Sequence, residues 1–251
     1  MHKKLLIPIA TLALLALWPS PADAMHITGG ILPAGWALTW FIVAAPFLAW
    51  GLFTIKRRSR ADSKYPARVA LVGAAVFVIS CMPIPLPVIG SCSHPCGVAL
   101  GMMLIGPAAT IVVATIALIL QATFLAHGGF DTLGANVMSM GIVGTLTAWA
   151  VYRGLLTIRM PVLIAAFIAA LASDWATYTA TAAELSAGLC GAHSFGSIFL
   201  TAIIVFIPTQ VPLGVLEGVL TAAAWRFVAE RRPDLLETLA VAPLAAAKEQ
   251  A

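Results

Sequence analysis

Charge is scarce in this chain, with 14 Lys and Arg and 10 Asp and Glu among 251 residues. At 61% apolar residues and a mean hydropathy of +1.00, there is too little polar surface to cover a water-soluble core. No Gly-rich phosphate cradle with a Walker lysine is present, so the chain cannot hydrolyse ATP by itself. There is no His-x-x-x-His or Glu-x-x-His pair and no nucleophile in an elbow motif, which leaves an intramembrane hydrolase built on Ser91, Ser93 and His94 as a remote alternative. The four cysteines lack zinc-ribbon spacing. The formal net charge of +4 is small and grouped at segment ends, a pattern that reports membrane orientation and not nucleic acid. No internal repeat and no second domain is visible.

What the chain does have is length in its apolar runs. Leu32 to Ile55, Ala67 to Val88, Val98 to Ala126, Ala135 to Leu156, Met160 to Ala183 and Ser197 to Val228 are each long enough to cross a bilayer once. Their high content of Gly, Ala, Ser and Thr suits close helix packing. The reading is an all-α polytopic membrane protein.

The amino terminus reads as a signal peptide over residues 1–24. Lys3 and Lys4 precede an apolar stretch, Leu5 to Leu17, too short to anchor comfortably, and Ala22-Asp23-Ala24 offers the small residues that signal peptidase accepts. Cleavage there exposes Met25 outside. The first span then brings Lys56, Arg57, Arg58, Arg60 and Lys64 to the cytoplasm, as the positive-inside rule prefers. Six single crossings would next place Arg153, Arg159, Arg226, Arg231 and Arg232 outside. One more crossing between Pro83 and His127 repairs every later loop.

The sequence provides a place for it. Pro83, Pro85 and Pro87 each lack an amide donor, so no regular helix runs through to Gly90. The second span is expected to end near Pro83, and the chain to dip inward through residues 90–97 and a short helix, Val98 to Ile105. It then turns at Gly106-Pro107 and returns over Ala108 to Ala126. Irregular backbone at membrane depth needs protein or a water-filled cavity around it. The expectation is therefore about seven transmembrane helices over residues 25–232, with an irregular metal-binding segment after the second and a cytoplasmic tail over 233–251. The mature amino terminus lies outside and the carboxyl terminus inside.

This topology puts His26, His127 and His193 on the outer side and His94 in the segment descending from it. Imidazole is the commonest transition-metal ligand. A free amine on Met25, the deprotonated amide of His26 and its Nδ1 can close two fused chelate rings around one ion. His94 is the best candidate for the remaining position of a planar nitrogen set, which favours Ni(II), Cu(II) or low-spin Co(II) over tetrahedral Zn(II). His127 reads equally well as a turn residue before Gly128-Gly129, and His193 as a group outside the first ring of ligands. Cys92 and Cys96 are candidates either for a disulfide or for thiolate ligation.

The stretches Met25-His26-Ile-x-x-Gly-x-Leu-Pro33, Gly90-Ser-Cys-Ser-His-Pro-x-Gly97, Leu125-Ala-His-Gly-Gly129 and Leu133-Gly-Ala-Asn-x-x-Ser-Met-Gly141 together resemble the CbiM/NikM family. These are membrane substrate-binding subunits of energy-coupling-factor ABC transporters for cobalt or nickel. The resemblance implies Co(II) or Ni(II) as transported substrate, held by the Met25 amine, His26 and His94. It also implies a plasma (inner) membrane location in the lipid bilayer, and partners comprising a transmembrane coupling subunit, two ATPase subunits and a small accessory membrane subunit. A role in cobalamin synthesis follows for the cobalt branch, which the Cys-Ser-His-Pro wording resembles more than the nickel branch. Two departures stand out. Thr28-Gly29-Gly30 replaces a stretch in which family members often carry an acidic residue, and Cys96 stands where threonine is common, bringing a soft donor or a redox partner for Cys92 near the site.

Three acidic residues in apolar runs are functional candidates because charge is costly there. Asp174 is expected to be a buried carboxylate paired by hydrogen bonds, or else a cation waypoint. Glu184 is expected to be solvated at a span end. Glu217 is expected to meet a coupling subunit or to neutralise Arg226. Asn136 is expected to orient the outer loop, and Ala70-x-x-x-Ala74 to offer a small-residue packing face.

Overall fold

A helix that loses its amide donors must stop, and the second apolar run stops early: helix α2, Tyr65–Ser80, ends three residues before Pro83. Beyond it, Ile84–Leu86 (β1) and Ser91–Ser93 (β2) pair as a short antiparallel ribbon with Ile84 opposite Ser93. The computed structural model describes residues 26–82, 84–86, 91–191 and 194–233. The cleavage join, Met25, the Cys92 side chain, His193 and the tail from residue 234 onward lie outside the described residues.

The remaining helices are α1 (Ala34–Ala61), α3 (Val98–Ile105), α4 (Pro107–Phe124), α5 (Leu133–Thr157), α6 (Val162–Leu189) and α7 (Phe195–Arg231). Among the described residues these, with α2, make seven helical segments, of which five are long and apolar enough to cross a membrane. The count of seven thus includes two short members, the 16-residue α2 and the 8-residue α3. The turn expected at Gly106-Pro107 is present. Gly106 adopts φ 84°, open to glycine, and Pro107 begins α4, where its missing N–H costs nothing.

Helix α3 is the centre of the bundle, with each of its residues buried. Around it pack α2, α4, α5, α6 and α7, while α6 and α7 form the most extensive helix pair. Small residues set these distances. A Cβ on Gly101 of α3 would approach Thr110 and Val76 to 3.1 Å, and one on Gly144 of α5 would lie 2.5 Å from Thr177 Oγ1. Within α5, residues Val137–Gly144 form a π-helical stretch, a distortion that is often found beside functional sites. At the carboxyl end of α3, Arg58 donates to the Ile105 carbonyl at 3.3 Å and lies 5.7 Å above the Tyr65 ring, matching a cation to the negative end of the helix.

The exterior carries Leu38, Phe41, Leu52 and Phe53 of α1 and Leu200, Ile204, Val219 and Phe227 of α7, while Asp174, Glu184 and Glu217 are buried. This inverts the pattern of a soluble protein and fits a chain solvated by lipid. Ala70 and Ala74 are exposed on α2.

Candidate metal centre

Three loops meet at one end of the bundle: the amino-terminal strap before α1, the segment between β2 and α3, and the turn between α4 and α5. Each contributes one histidine. The rings of His26, His94 and His127 stand 4.9 to 5.0 Å apart between centroids, and one ring nitrogen of each lies within 4.8 Å of the others.

Local chemistry places them. The strap is clamped by α5 and the turn before it: Asn136 Oδ1 accepts from the Ile27 amide at 2.8 Å, and Asn136 Nδ2 and Thr132 Oγ1 donate to the Ile27 carbonyl at 3.1 and 2.6 Å. Asn136 therefore holds the backbone next to His26, as its motif suggested. Glycine permits the approach, since a Cβ on Gly129 would lie 2.5 Å from Gly29 Cα. Asp131 Oδ2 accepts from the Gly30 amide at 2.7 Å, so a carboxylate from another loop engages the stretch that lacks its own. At the end of α4, the Gln121 carbonyl receives the amides of Leu125 and His127, and Ala126 takes φ 50°. That left-handed residue turns the chain back over the helix end and brings His127 in.

The hydrogen bonds also fix which nitrogens carry protons. Gln121 Nε2 donates to the Ser80 carbonyl at 2.8 Å, so its amide cannot be reversed, and its Oε1 faces His26 Nε2 at 3.1 Å as an acceptor. His26 Nε2 must donate, and its lone pair therefore resides on Nδ1. His94 Nδ1 lies 3.1 Å from the Pro95 carbonyl, which only accepts, so His94 carries its lone pair on Nε2. That atom is 2.9 Å from His127 Nε2, whose N–H donates into it.

The three imidazoles are neutral near pH 7. Burial, and then His94 and His127, hold His26 well below its ordinary 6.5. Burial, followed by His127, brings His94 down to about 3, and burial lowers His127. Neutral, oriented nitrogen lone pairs are what a late transition-metal dication requires.

Several expectations need correction. Cys96 does not join the histidines; it is buried in a separate cluster with Asp174 and Glu217. Among the described residues Asp174 has no hydrogen-bond partner on either oxygen. Glu184 is 2% exposed, buried against the α5 segment that carries Ser139, because α6 keeps its last turns inside the bundle. Glu217 pairs with no arginine. It accepts the Cys96 and Gly97 amides at 2.8 and 2.9 Å, while Arg226 bonds Glu230. Gln121 was missed, although an amide buried in the last turn of an apolar helix is itself a signal.

Helices with apolar exteriors, closed at one end by a cluster of neutral histidines of which two are buried and one half-buried, define a polytopic membrane protein with a donor set suited to a transition-metal ion. Residues 26–235 match the family model described as cobalt uptake substrate-specific transmembrane region, CbiM, and the chain belongs to that family. The cobalt transport protein CbiM of Geobacter sulfurreducens is 51% identical over 90% of this chain, which spans 65% of that relative's length. The protein of the same name from Sorangium cellulosum is 48% identical over 88% of this chain and 98% of its own. A putative cobalt transport protein CbiM of Methanocaldococcus jannaschii is 42% identical over 87% of this chain and 93% of its own. Crystal structures of a transition metal transporter and of a truncated one share the fold, the latter with a TM-score of 0.71 at 24% identity over 82% of this chain and 98% of its own.

Proposed function

We propose that this chain is the membrane subunit that captures Co(II) for uptake, holding the ion at the histidine cluster. After cleavage behind Ala24, the Met25 amine, the His26 amide nitrogen and His26 Nδ1 chelate the ion, and His94 Nε2 completes a planar set of four nitrogens. The observation that carries this reading is the pair of tautomers. His26 is bonded so that Nδ1 keeps its lone pair, the nitrogen the chelate needs, and His94 so that Nε2 does. In the ion-free state the His127 N–H occupies the His94 lone pair, and an arriving ion exchanges that bond for a metal–nitrogen bond.

The chain works with a transmembrane coupling subunit and two ATPase subunits, with a small accessory membrane protein, in an energy-coupling-factor importer of the plasma membrane. Its cargo supplies cobalamin synthesis. The cytoplasmic assignment of Arg57, Arg58 and Arg60 and the extracytoplasmic assignment of His26 follow from the positive-inside rule. A planar nitrogen set also suits Ni(II), and the preference for cobalt rests on the names of the relatives.

The test is amino-terminal sequencing of purified protein with metal analysis of wild type, His26→Ala and His94→Ala. The expected result is a Met25 terminus and Co(II) loading lost at least ~100-fold in each variant, while the protein stays folded. Loading equal to wild type in both variants, or an intact Met1 terminus with full loading, overturns the capture reading.

A further inference from the structure

Two residues beyond His94, the same segment enters a second cluster that capture at the histidines does not use. Cys96 is 1% exposed, Asp174 0% and Glu217 1%. Cys96 Sγ and one carboxylate oxygen from each acid lie within 4.8 Å of one another. The acids come from the middle of α6 and from α7, so the cluster sits inside the bundle. We propose that Cys96, Asp174 and Glu217 form a second site for a divalent transition-metal cation.

The first support is the state of Asp174. Among the described residues, both its oxygens are fully buried without a hydrogen-bond partner and no lysine or arginine pairs with it. A carboxylate in that position is stable only if it is neutralised or coordinates a cation. The second is that Glu217 is already oriented. Its oxygens each accept one backbone N–H, from Gly97 and Cys96, at the amino end of α3. Each oxygen retains a lone pair directed away from that bond. The third is room. Helix α7 has glycine at 214, where a Cβ would come 3.1 Å from Asp174 Oδ2 and 2.7 Å from Trp175 Nε1, and Trp175 is itself tied to the Gln210 carbonyl at 3.0 Å. The backbone is cut back at the point where Asp174 needs space.

Two carboxylate oxygens and a thiol form a mixed oxygen and sulfur set, which suits a borderline-soft dication such as Co(II) or Zn(II) and not Mg(II). Coordination by Sγ breaks the S–H bond as the metal–sulfur bond forms, and the proton that neutralises Asp174 in the ion-free protein leaves as its oxygen binds the ion; both protons pass to solvent. The three anionic donors then exceed the ion's charge by one, next to the positive amino end of α3. The site itself does not depend on the histidines; its use as a station for an ion leaving them rests on the capture reading.

The test uses the chain beginning at Met25, purified in detergent, freed of metal by chelation and titrated with Co(II) chloride. Wild type is expected to develop a near-ultraviolet thiolate-to-cobalt charge-transfer band with a second bound equivalent. Cys96→Ser is expected to lose the band and keep the first equivalent, and Asp174→Asn to weaken the second equivalent at least ~10-fold. In His26→Ala/His94→Ala the band should persist while the first equivalent is lost. Absence of the band from saturated wild type, or its persistence in Cys96→Ser, overturns the proposal, and the wild-type spectrum decides this even if a variant does not fold. A band that disappears from the double-histidine variant also overturns it, because the thiol would then serve the histidine-bound ion. Retention of the first equivalent in that variant would instead overturn the capture reading and leave this site standing.

Discussion

The histidine cluster and the Cys96–Asp174–Glu217 cluster hang from one short stretch of backbone, residues 94–97, and they are built in opposite ways. At the histidines the nitrogens not offered as lone pairs are bonded to neutral acceptors, Gln121 Oε1 and the Pro95 carbonyl, and the cluster carries no net charge. In the deeper cluster one acid is fully engaged by amides and the other by nothing. Neutral ligands can be buried in advance at little cost, whereas anionic ones cannot. The first cluster can therefore wait for an ion with its donors neutral and oriented, needing only to release the His127 bond, and the second holds a deficit that an ion or a proton must fill.

The sharpest way to break this comparison is to treat the two acids alike. Glu217→Ala leaves two buried amides without an acceptor, each costing roughly 1–3 kcal/mol, and removes the anion from the amino end of α3. The expected outcome is a loss of roughly 2–6 kcal/mol in reversible unfolding. Asp174→Asn removes a buried group that bonds nothing, so ion-free protein should unfold at the wild-type midpoint or above it. Equal destabilisation by both would mean that Asp174 has a partner and that the contrast is false.

Within the histidine cluster the tautomer argument is tested at Gln121. Gln121→Leu removes the acceptor that keeps the His26 proton on Nε2, and with it the bond to the Ser80 carbonyl. Loss of such an orienting partner typically weakens metal binding 10–100-fold. Co(II) titration should show a shift in that range with the thiolate band unchanged. An unchanged affinity would show that the tautomer is set elsewhere.

Acid should separate the clusters as well. Each histidine has a folded pKa depressed below 6.5, to about 3 for His94, so the unfolded chain binds more protons than the folded one between those values. Stability of the ion-free protein is therefore unaffected by these groups above pH ~6.5 and falls as pH drops below it. The slope is roughly 1.4 kcal/mol per pH unit for each histidine that stays neutral. Unfolding midpoints measured from pH 7 to pH 4 should decline in wild type and decline less in His26→Ala. Parallel curves would show that the cluster takes up protons without opening.

How far the sequence anticipated this depends on what kind of signal each part leaves. The dip after the second span was legible because prolines remove donors and because misplaced arginines violate a rule that acts over whole loops. His26, His94 and His127 could be set on one side of the membrane by parity alone. Their meeting, and the separation of Cys96 from them, depended on side-chain direction within a four-residue segment, and sequence order carries no information about that. Asp174 and Glu217 were marked as costly, but which would be satisfied turned on the amides of residues 96 and 97, more than 100 positions away from Glu217 in the chain. Gln121 carries no formal charge, so the cost of charge in an apolar helix does not mark it, although a buried amide needs partners just as firmly.

The smallest effect is expected at the opposite end of α3, and it serves as the control for the rest. Arg58 is largely exposed, and its bond to the Ile105 carbonyl is long at 3.3 Å, so the interaction with the helix end is worth roughly 0.3–1 kcal/mol. Arg58→Met keeps an apolar stem and removes the charge together with its bond to the Ile105 carbonyl and its place over the Tyr65 ring. A fall of less than about 1 kcal/mol in stability is expected, with both Co(II) equivalents and the thiolate band as in wild type. If the second equivalent weakens instead, the ends of α3 are mechanically linked: releasing its carboxyl end would let its amino end shift against Glu217. The deeper cluster would then depend on the position of α3 along its axis and not on the local geometry of residues 96 and 97 alone.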